Sequence, residues 1–293
     1  MKKSYYSFIC LSFFVSIYFF LSASLVANSE QQETETKNLQ RDQITTLIEK
    51  AINLGVPLYN SGSYSACRAV YNITLQAILG FTEEIVSQNL ITNAITETEL
   101  RDPKNGAWLL RYILDEIYFA VKEGTSIKDN KIVFDFSDQS PFEWFSVNDN
   151  VMGGISKGQV ERTKQETMKF LGRLSLKNNG GFSSVRSQIP DFTLAGYDGL
   201  MLKTRGDDRS YSVLVTTLER GRTWQTKFKT SGKWQIVKVP FKKMQMSVMG
   251  WRPNASPEIM GNIIRAIGFI IADKNETPFT LEVDWIKAYI DKD

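Results

Sequence analysis

Asn148-Asp149-Asn150 is followed closely by Gly153-Gly154, a cluster of amides and a carboxylate set in turn-forming sequence. Such a cluster can ligate a cation, contact a partner, or satisfy its own backbone through Asx-turn hydrogen bonds. The turn is the favoured reading, because no second acidic cluster offers co-ligands by its spacing. Asp207-Asp208 falls between two strand candidates and reads as a hairpin tip rather than a metal site. Residues 151–158 are glycine-rich, yet a phosphate-cradling loop needs a preceding parallel strand and a following helix, and strands are expected on both sides here. The chain has no histidine, which excludes Ser-His-Asp and Cys-His nucleophilic sites and histidine-ligated zinc. Acidic residues are plentiful, but no spacing singles out the acid and nucleophile of a glycosidase. No catalytic residue, metal or cofactor is expected, and the protein is read as a non-enzyme.

Aromatic and arginine side chains point to contact rather than catalysis. Trp144, Trp234 and Trp285 lie in hydrophobic blocks and are expected in the core, whereas Trp224 follows Arg220-Gly221-Arg222 and Trp251 precedes Arg252-Pro253 in an irregular stretch. Trp224, Trp251 and Arg252 are therefore candidates for an exposed contact surface, since indole and guanidinium groups concentrate at binding hot spots and indole faces also stack on sugars. Asn148, Asp149 and Arg186 complete the candidate set. The lysines scattered over 227–243 lack the aromatic interleaving of a nucleic-acid groove, so no nucleic-acid partner is expected.

Two kinds of element must position these residues. Helical spacing of apolar residues begins after Asp42, resumes after Ser63, continues weakly over 82–95 and ends with a helix over 106–122, closed by Gly124. These segments predict a small helical bundle over 41–124, with Cys67 as a buried structural thiol. After a polar linker at 125–130 the period changes to two. Candidate strands are 132–136, 168–176, 182–189, 199–204, 211–218, 223–228, 234–239, 266–272 and 279–289, with 247–261 as the longest insertion. Many short strands separated by Gly, Asn and Asp predict an all-β sandwich or jelly roll over 131–293, its first and last strands side by side.

The β half resembles the CIA30 family, named for a protein associated with assembly intermediates of respiratory complex I. The resemblance rests on VFDFSD at 133–138, W-x-x-V-N-D-x-V-M-G-G-x-S at 144–156 and N-x-G-G-F-S-S-V-R at 178–186. It continues in YDGLMLKTRGD at 197–207, W-x-x-x-x-V-P-F at 234–241 and LEVDWIKAY at 281–289. It implies a galactose-binding-like jelly roll, related in shape to carbohydrate-binding modules, and an assembly-factor role of the kind known for mitochondrial members. The fold class expected is thus an α+β two-domain chain, a helical bundle followed by that sandwich.

The 293 residues suffice for two modest cores. Residues 28–124 carry eight basic and thirteen acidic side chains, a net of −5, and residues from 125 onward carry a net of +6, so the halves can attract one another. Residues 1–27 begin with Lys2-Lys3 and continue as an apolar run over 5–26, which predicts a signal peptide or an uncleaved membrane anchor and places the remainder outside the cytoplasm, periplasmic or secreted. The polar stretch 28–40 is expected to be a tether. The function expected is that of an exported protein that binds another protein as an assembly factor or chaperone-like module, the alternative being a carbohydrate-binding module of the cell envelope.

Overall fold

The computed structural model describes residues 5–81, 84–219, 221–248 and 250–291, with side chains from Ser29 onward, Val151 excepted. The apolar leader at 1–27, and the signal-peptide or anchor reading attached to it, lies outside the described side chains.

Helix α1 (Tyr5–Asn60) runs through 28–40, where composition predicted a tether. Its Glu, Gln and Lys residues are good helix formers, and Lys37 pairs with Glu33 one turn earlier and with Glu84, each at 2.7 Å. Asp42 consequently sits inside the helix rather than capping it. Pro57 is tolerated in the last turn, which closes at Asn60. Helices α2 (Tyr64–Ile78), α3 (Gln88–Glu99) and α4 (Pro103–Lys122) follow. The cap of α4 is Asp102, whose carboxylate accepts from the Asn105 amide, and Pro103 occupies the first turn. Ile44, Ile48, Cys67, Tyr71, Leu75, Ile91, Leu110, Ile113 and Ile117 form the bundle core. Burial pushes the Cys67 thiol upward, as for a structural cysteine.

The second half is a sandwich of two antiparallel sheets. Sheet I contains β3 (Lys157–Arg162), β4 (Met168–Arg173), β12 (Pro278–Tyr289), β6 (Gly199–Gly206) and β9 (Gln235–Pro240) in that order, with β1 (Asn130–Phe134) paired to β12. Sheet II runs β10 (Gln245–Val248), β8 (Arg222–Lys229), β7 (Ser210–Thr216), β11 (Ala266–Ile271), β5 (Ser183–Gln188) and β2 (Phe145–Asn148). First and last strands lie side by side as expected, with Asn130 opposite Tyr289. Inward positions alternate, for example Leu200 and Leu202 on β6 facing Tyr211, Val213 and Val215 on β7. On β12 a bulge between Val283 and Trp285 switches the inward residues from Leu281 and Val283 to Ile286 and Ala288. That switch turns Trp285 outward. Trp234 is likewise half-exposed on the outer face of sheet I, under the Arg205 guanidinium at 4.7 Å, whereas Trp144 is buried against Phe269. Two of the three expected core tryptophans thus lie on the outer face.

Bundle and sandwich meet along α3. Leu90 joins the sandwich core, and Ala195, from the turn between β5 and β6, joins the bundle core. The Asn93 amide donates to the Gly196 carbonyl at 3.1 Å, the Gly196 amide donates to Glu97 Oε1 at 3.3 Å, and Arg101 Nη2 donates to Asn262 Oδ1 at 2.6 Å. Glu97 Oε2 is buried without a partner. Burial pushes the Glu97 carboxyl up to about 8, against the opposing pull of the Gly196 amide and Arg101 and with Asp198 adding to the rise. The folded state therefore holds a proton that the unfolded chain releases near the ordinary carboxylate value. Stability contributed here is present at pH 4 and declines as pH rises toward about 8. Glu97→Gln is expected to melt with the wild type at pH 5 and several degrees above it at pH 9; coincident curves at pH 9 would show that Glu97 is not the group responsible.

Candidate functional site

Asp149 opens a one-turn 3-10 helix (Asp149–Met152) after β2, and its side chain is fully buried. Its Oδ1 accepts from the Ser156 amide at 2.9 Å. Its Oδ2 accepts from Ser156 Oγ at 2.5 Å and from the Gly181 and Phe182 amides at 2.6 and 3.3 Å. Burial alone would raise its pKa, but these four donors together outweigh it and hold the carboxyl below its ordinary value. Glycine is required around it: a Cβ on Gly154 would lie 2.4 Å from Asp149 Cγ, and one on Gly180 2.6 Å from Oδ2. Next to it, Asn148 donates to the Gly158 carbonyl at 3.1 Å and accepts from Ser183 Oγ at 2.6 Å. Both side chains are thus committed to internal bonds and belong to no exposed contact surface. They form a staple where the chain crosses between sheets, tying the β2–β3 connection to the β4–β5 connection.

The staple holds one end of a groove on the outer face of sheet II. Strand register places Gln245, Gln225, Leu214, Gly268, Arg186 and Phe145 in one row across all six strands. The groove, of about 860 Å³, has Arg186, Leu214, Gln225, Ile270, Thr216 and Thr223 as its floor and sides, with Met152, Asn179 and Phe182 at the stapled end and Glu219, Arg222 and Arg252 along the rim. Gly268 makes the floor possible, because a Cβ there would stand 3.0 Å from Arg186 Cγ and 2.3 Å from the Val185 carbonyl. Arg186 lies across that bare backbone.

The groove is lopsided in charge. Arg222 pairs with Glu219, while Arg186 and Arg252 have no ion pair or hydrogen bond among the described residues. Arg186 Nε is buried and unpartnered, and burial holds the guanidinium below its ordinary value with no opposing charge. Exposed apolar side chains accompany the charged rim: Met152 at the stapled end is 67% exposed, Trp251, next to Arg252 in the chain, also 67%, and Leu218, next to Glu219, 78%. Phe182 is the one aromatic among the described lining residues.

Of the candidates named from sequence, Arg186 and Arg252 line this groove and Trp251 stands exposed beside it. Trp224 does not belong to any exposed surface. It pairs with Val215 and Met246 on the core face, is 5% exposed, and donates its indole N–H to the Pro257 carbonyl at 2.9 Å. One position of β-alternation separates it from Gln225 on the groove side. Leu214 and Ile270 escaped sequence reasoning, because apolar residues occupy both faces of β7 and β11, and Gln225 on β8 was passed over beside Trp224; the glycine within AIGFII was the available signal.

The family profile described as Complex I intermediate-associated protein 30 (CIA30) matches residues 134–283. Complex I intermediate-associated protein 30, mitochondrial, of Mus musculus is 26% identical over 185 residues, covering 55% of this chain and 56% of that protein. The protein of the same name from Drosophila melanogaster is 29% identical over 144 residues, covering 45% and 48%. The chain spans about half the length of these curated relatives. Their names place them in mitochondria, which overturns the expectation of export across a cytoplasmic membrane; a basic-then-apolar leader does not by itself specify which membrane reads it. Among solved structures, the family 11 carbohydrate-binding module of Lic26A-Cel5E of Clostridium thermocellum is similar with a TM-score of 0.45 and 15% identity, covering 55% of this chain and 95% of that one. An agarase, AgWH50C, is similar with a TM-score of 0.38 and 15% identity over 56% of this chain and 25% of its own.

Proposed function

Because this chain belongs to the CIA30 family, we propose that it binds an intermediate in the assembly of respiratory complex I, in mitochondria, and that the sheet II groove is the binding face. One observation carries the choice of face: an unpaired arginine lies in a groove lined by the exposed Met152, with exposed Leu218 and Trp251 adjoining its lining residues in the chain. Aromatic residues, methionine and arginine are the enriched components of protein interfaces. A sugar subsite relies on aromatic platforms, and of the two tryptophans expected to supply them Trp224 is turned into the core, leaving Trp251 beside the groove and Phe182 in its lining. The protein acts by binding rather than catalysis in this reading, and the acidic side chain of the signature, Asp149, is engaged in holding the groove.

Native-gel separation of detergent extracts from cells expressing the tagged protein tests the proposal. Comigration with subassemblies of complex I, and their accumulation when the protein is deleted, is the expected result. Migration as a free protein with normal levels of mature complex would refute it.

A further inference from the structure

Resting on that reading of the groove, we propose that its ligand is an acidic segment of a partner protein, in which a carboxylate binds Arg186 and Arg252 and neighbouring apolar side chains cover Ile270 and the exposed Met152. Arg186 is partly buried, its Nε is shielded from solvent, and its guanidinium meets no carboxylate among the described residues. A partly desolvated cation without a counter-ion is stabilised by an anion that reaches the accessible part of its fork. The nearest acidic lining residue, Glu219, is already engaged by Arg222.

The geometry fits a planar anion. Arg186 is fixed by the sheet: its stem lies over Gly268, between the Phe145 and Leu214 positions of the same row. A pre-positioned guanidinium loses little freedom on binding and offers a fork that matches a carboxylate. Arg252 adds a second, unpaired positive charge on the rim. Apolar surface flanks the charge, so a purely electrostatic ligand such as a polyanion would leave Ile270 and the exposed Met152 uncovered. A carboxylate set between aliphatic residues satisfies both parts of the groove. A neutral sugar would meet the polar Thr216, Thr223 and Gln225 but would leave the arginine charge uncompensated.

Fluorescence anisotropy with the full-length protein and two labelled decapeptides, one alternating Glu and Leu and the other Gln and Leu, tests the inference. The Glu peptide is expected to bind at least tenfold more tightly than the Gln peptide at low salt, with the difference shrinking as salt rises. Arg186→Gln should abolish that preference, Arg186→Lys should restore part of it, and Arg252→Gln should reduce it severalfold. Each variant is compared by thermal melting, and Arg252→Gln on the exposed rim keeps the test valid should changes at Arg186 alter folding. Equal binding of both peptides, an unchanged preference in Arg186→Gln, or binding of a mixed-linked glucan tetrasaccharide in place of the Glu peptide would overturn the proposal. The wider reading fails separately: comigration with complex I subassemblies that persists in Arg186→Gln defeats this inference alone, while absent comigration of the wild type defeats the assembly role and leaves the peptide result standing.

Discussion

Asp149→Asn is expected to destabilise the protein by about 3–5 kcal/mol. The substitution keeps an acceptor for the Ser156 amide but puts an NH2 group where Oδ2 receives Ser156 Oγ and the Gly181 and Phe182 amides. Buried donors that lose their acceptor cost about 1–3 kcal/mol each, and bonds to a charged acceptor stand at the upper end of that range. Nor is there much space for rearrangement, since the backbone at 154 and 180 comes so close that even an added methyl group would clash with the carboxylate. For an ordered region of this size the loss corresponds to a fall in Tm of roughly 10 °C. Because the folded carboxyl lies below its ordinary value, its stabilisation is present above the unfolded pKa and disappears as pH falls through the folded one. The gap between wild type and variant should therefore be wide at pH 7 and narrow as the pH falls below the ordinary carboxylate range. A melting difference under 2 °C at pH 7 would show that the staple does not hold the sandwich.

The second large effect is expected at Arg209, which is 8% exposed at the end of the β6–β7 turn. Its Nε and Nη2 donate to Asp273 at 2.9 and 2.6 Å, and the remaining donors reach the carbonyls of Asn275, Thr277 and Pro278. One side chain thus satisfies the whole β11–β12 connection. Arg209→Ala leaves Asp273 with only the Asn275 amide as donor and three carbonyls without the arginine, and removal of one partner from a buried ion pair costs about 3–5 kcal/mol. Arg209→Met combined with Asp273→Leu should recover part of this, because the pair itself carries a desolvation cost. Urea denaturation of the two single variants and the double variant measures the coupling. Additive losses would mean that the two side chains do not act as a unit.

How much of this was legible beforehand depended on which physical signal each residue carries. The period-two run from Gly199 to Thr204 and the apolar Ala266–Ile271 segment announce strands by themselves, and the pairing of β1 with β12 followed from their places at the two ends of the β region. Short edge strands did not announce themselves: β2, β3 and β10 are four to six residues long, and β10 reaches into the insertion expected at 247–261. Helix α1 was misread across 28–40 because low hydrophobicity suppresses the periodic signal even where helix propensity is high. At the site, sequence identified Asn148, Asp149 and Arg186 as notable without separating the two that stabilise from the one that lines the groove. Their roles differ through contacts made across 20 to 40 residues of chain, with Gly181, Phe182 and Ser183, and no local pattern encodes those. Trp224 was misplaced by a single step of alternation, the smallest error that reverses a side chain.

The pairing of Asn130 with Tyr289 brings the entry and the exit of the sandwich together at one end of the central strand of sheet I, on the layer opposite the groove. Extra sequence joined at either end therefore emerges from the same place and need not cross the groove face. The sandwich has the geometry of a cassette that tolerates exchange of its flanks. Relatives that share the matched region while differing in the rest of their length are what such a layout permits, and a fluorescent or affinity tag fused after Asp291 should leave groove binding unaltered.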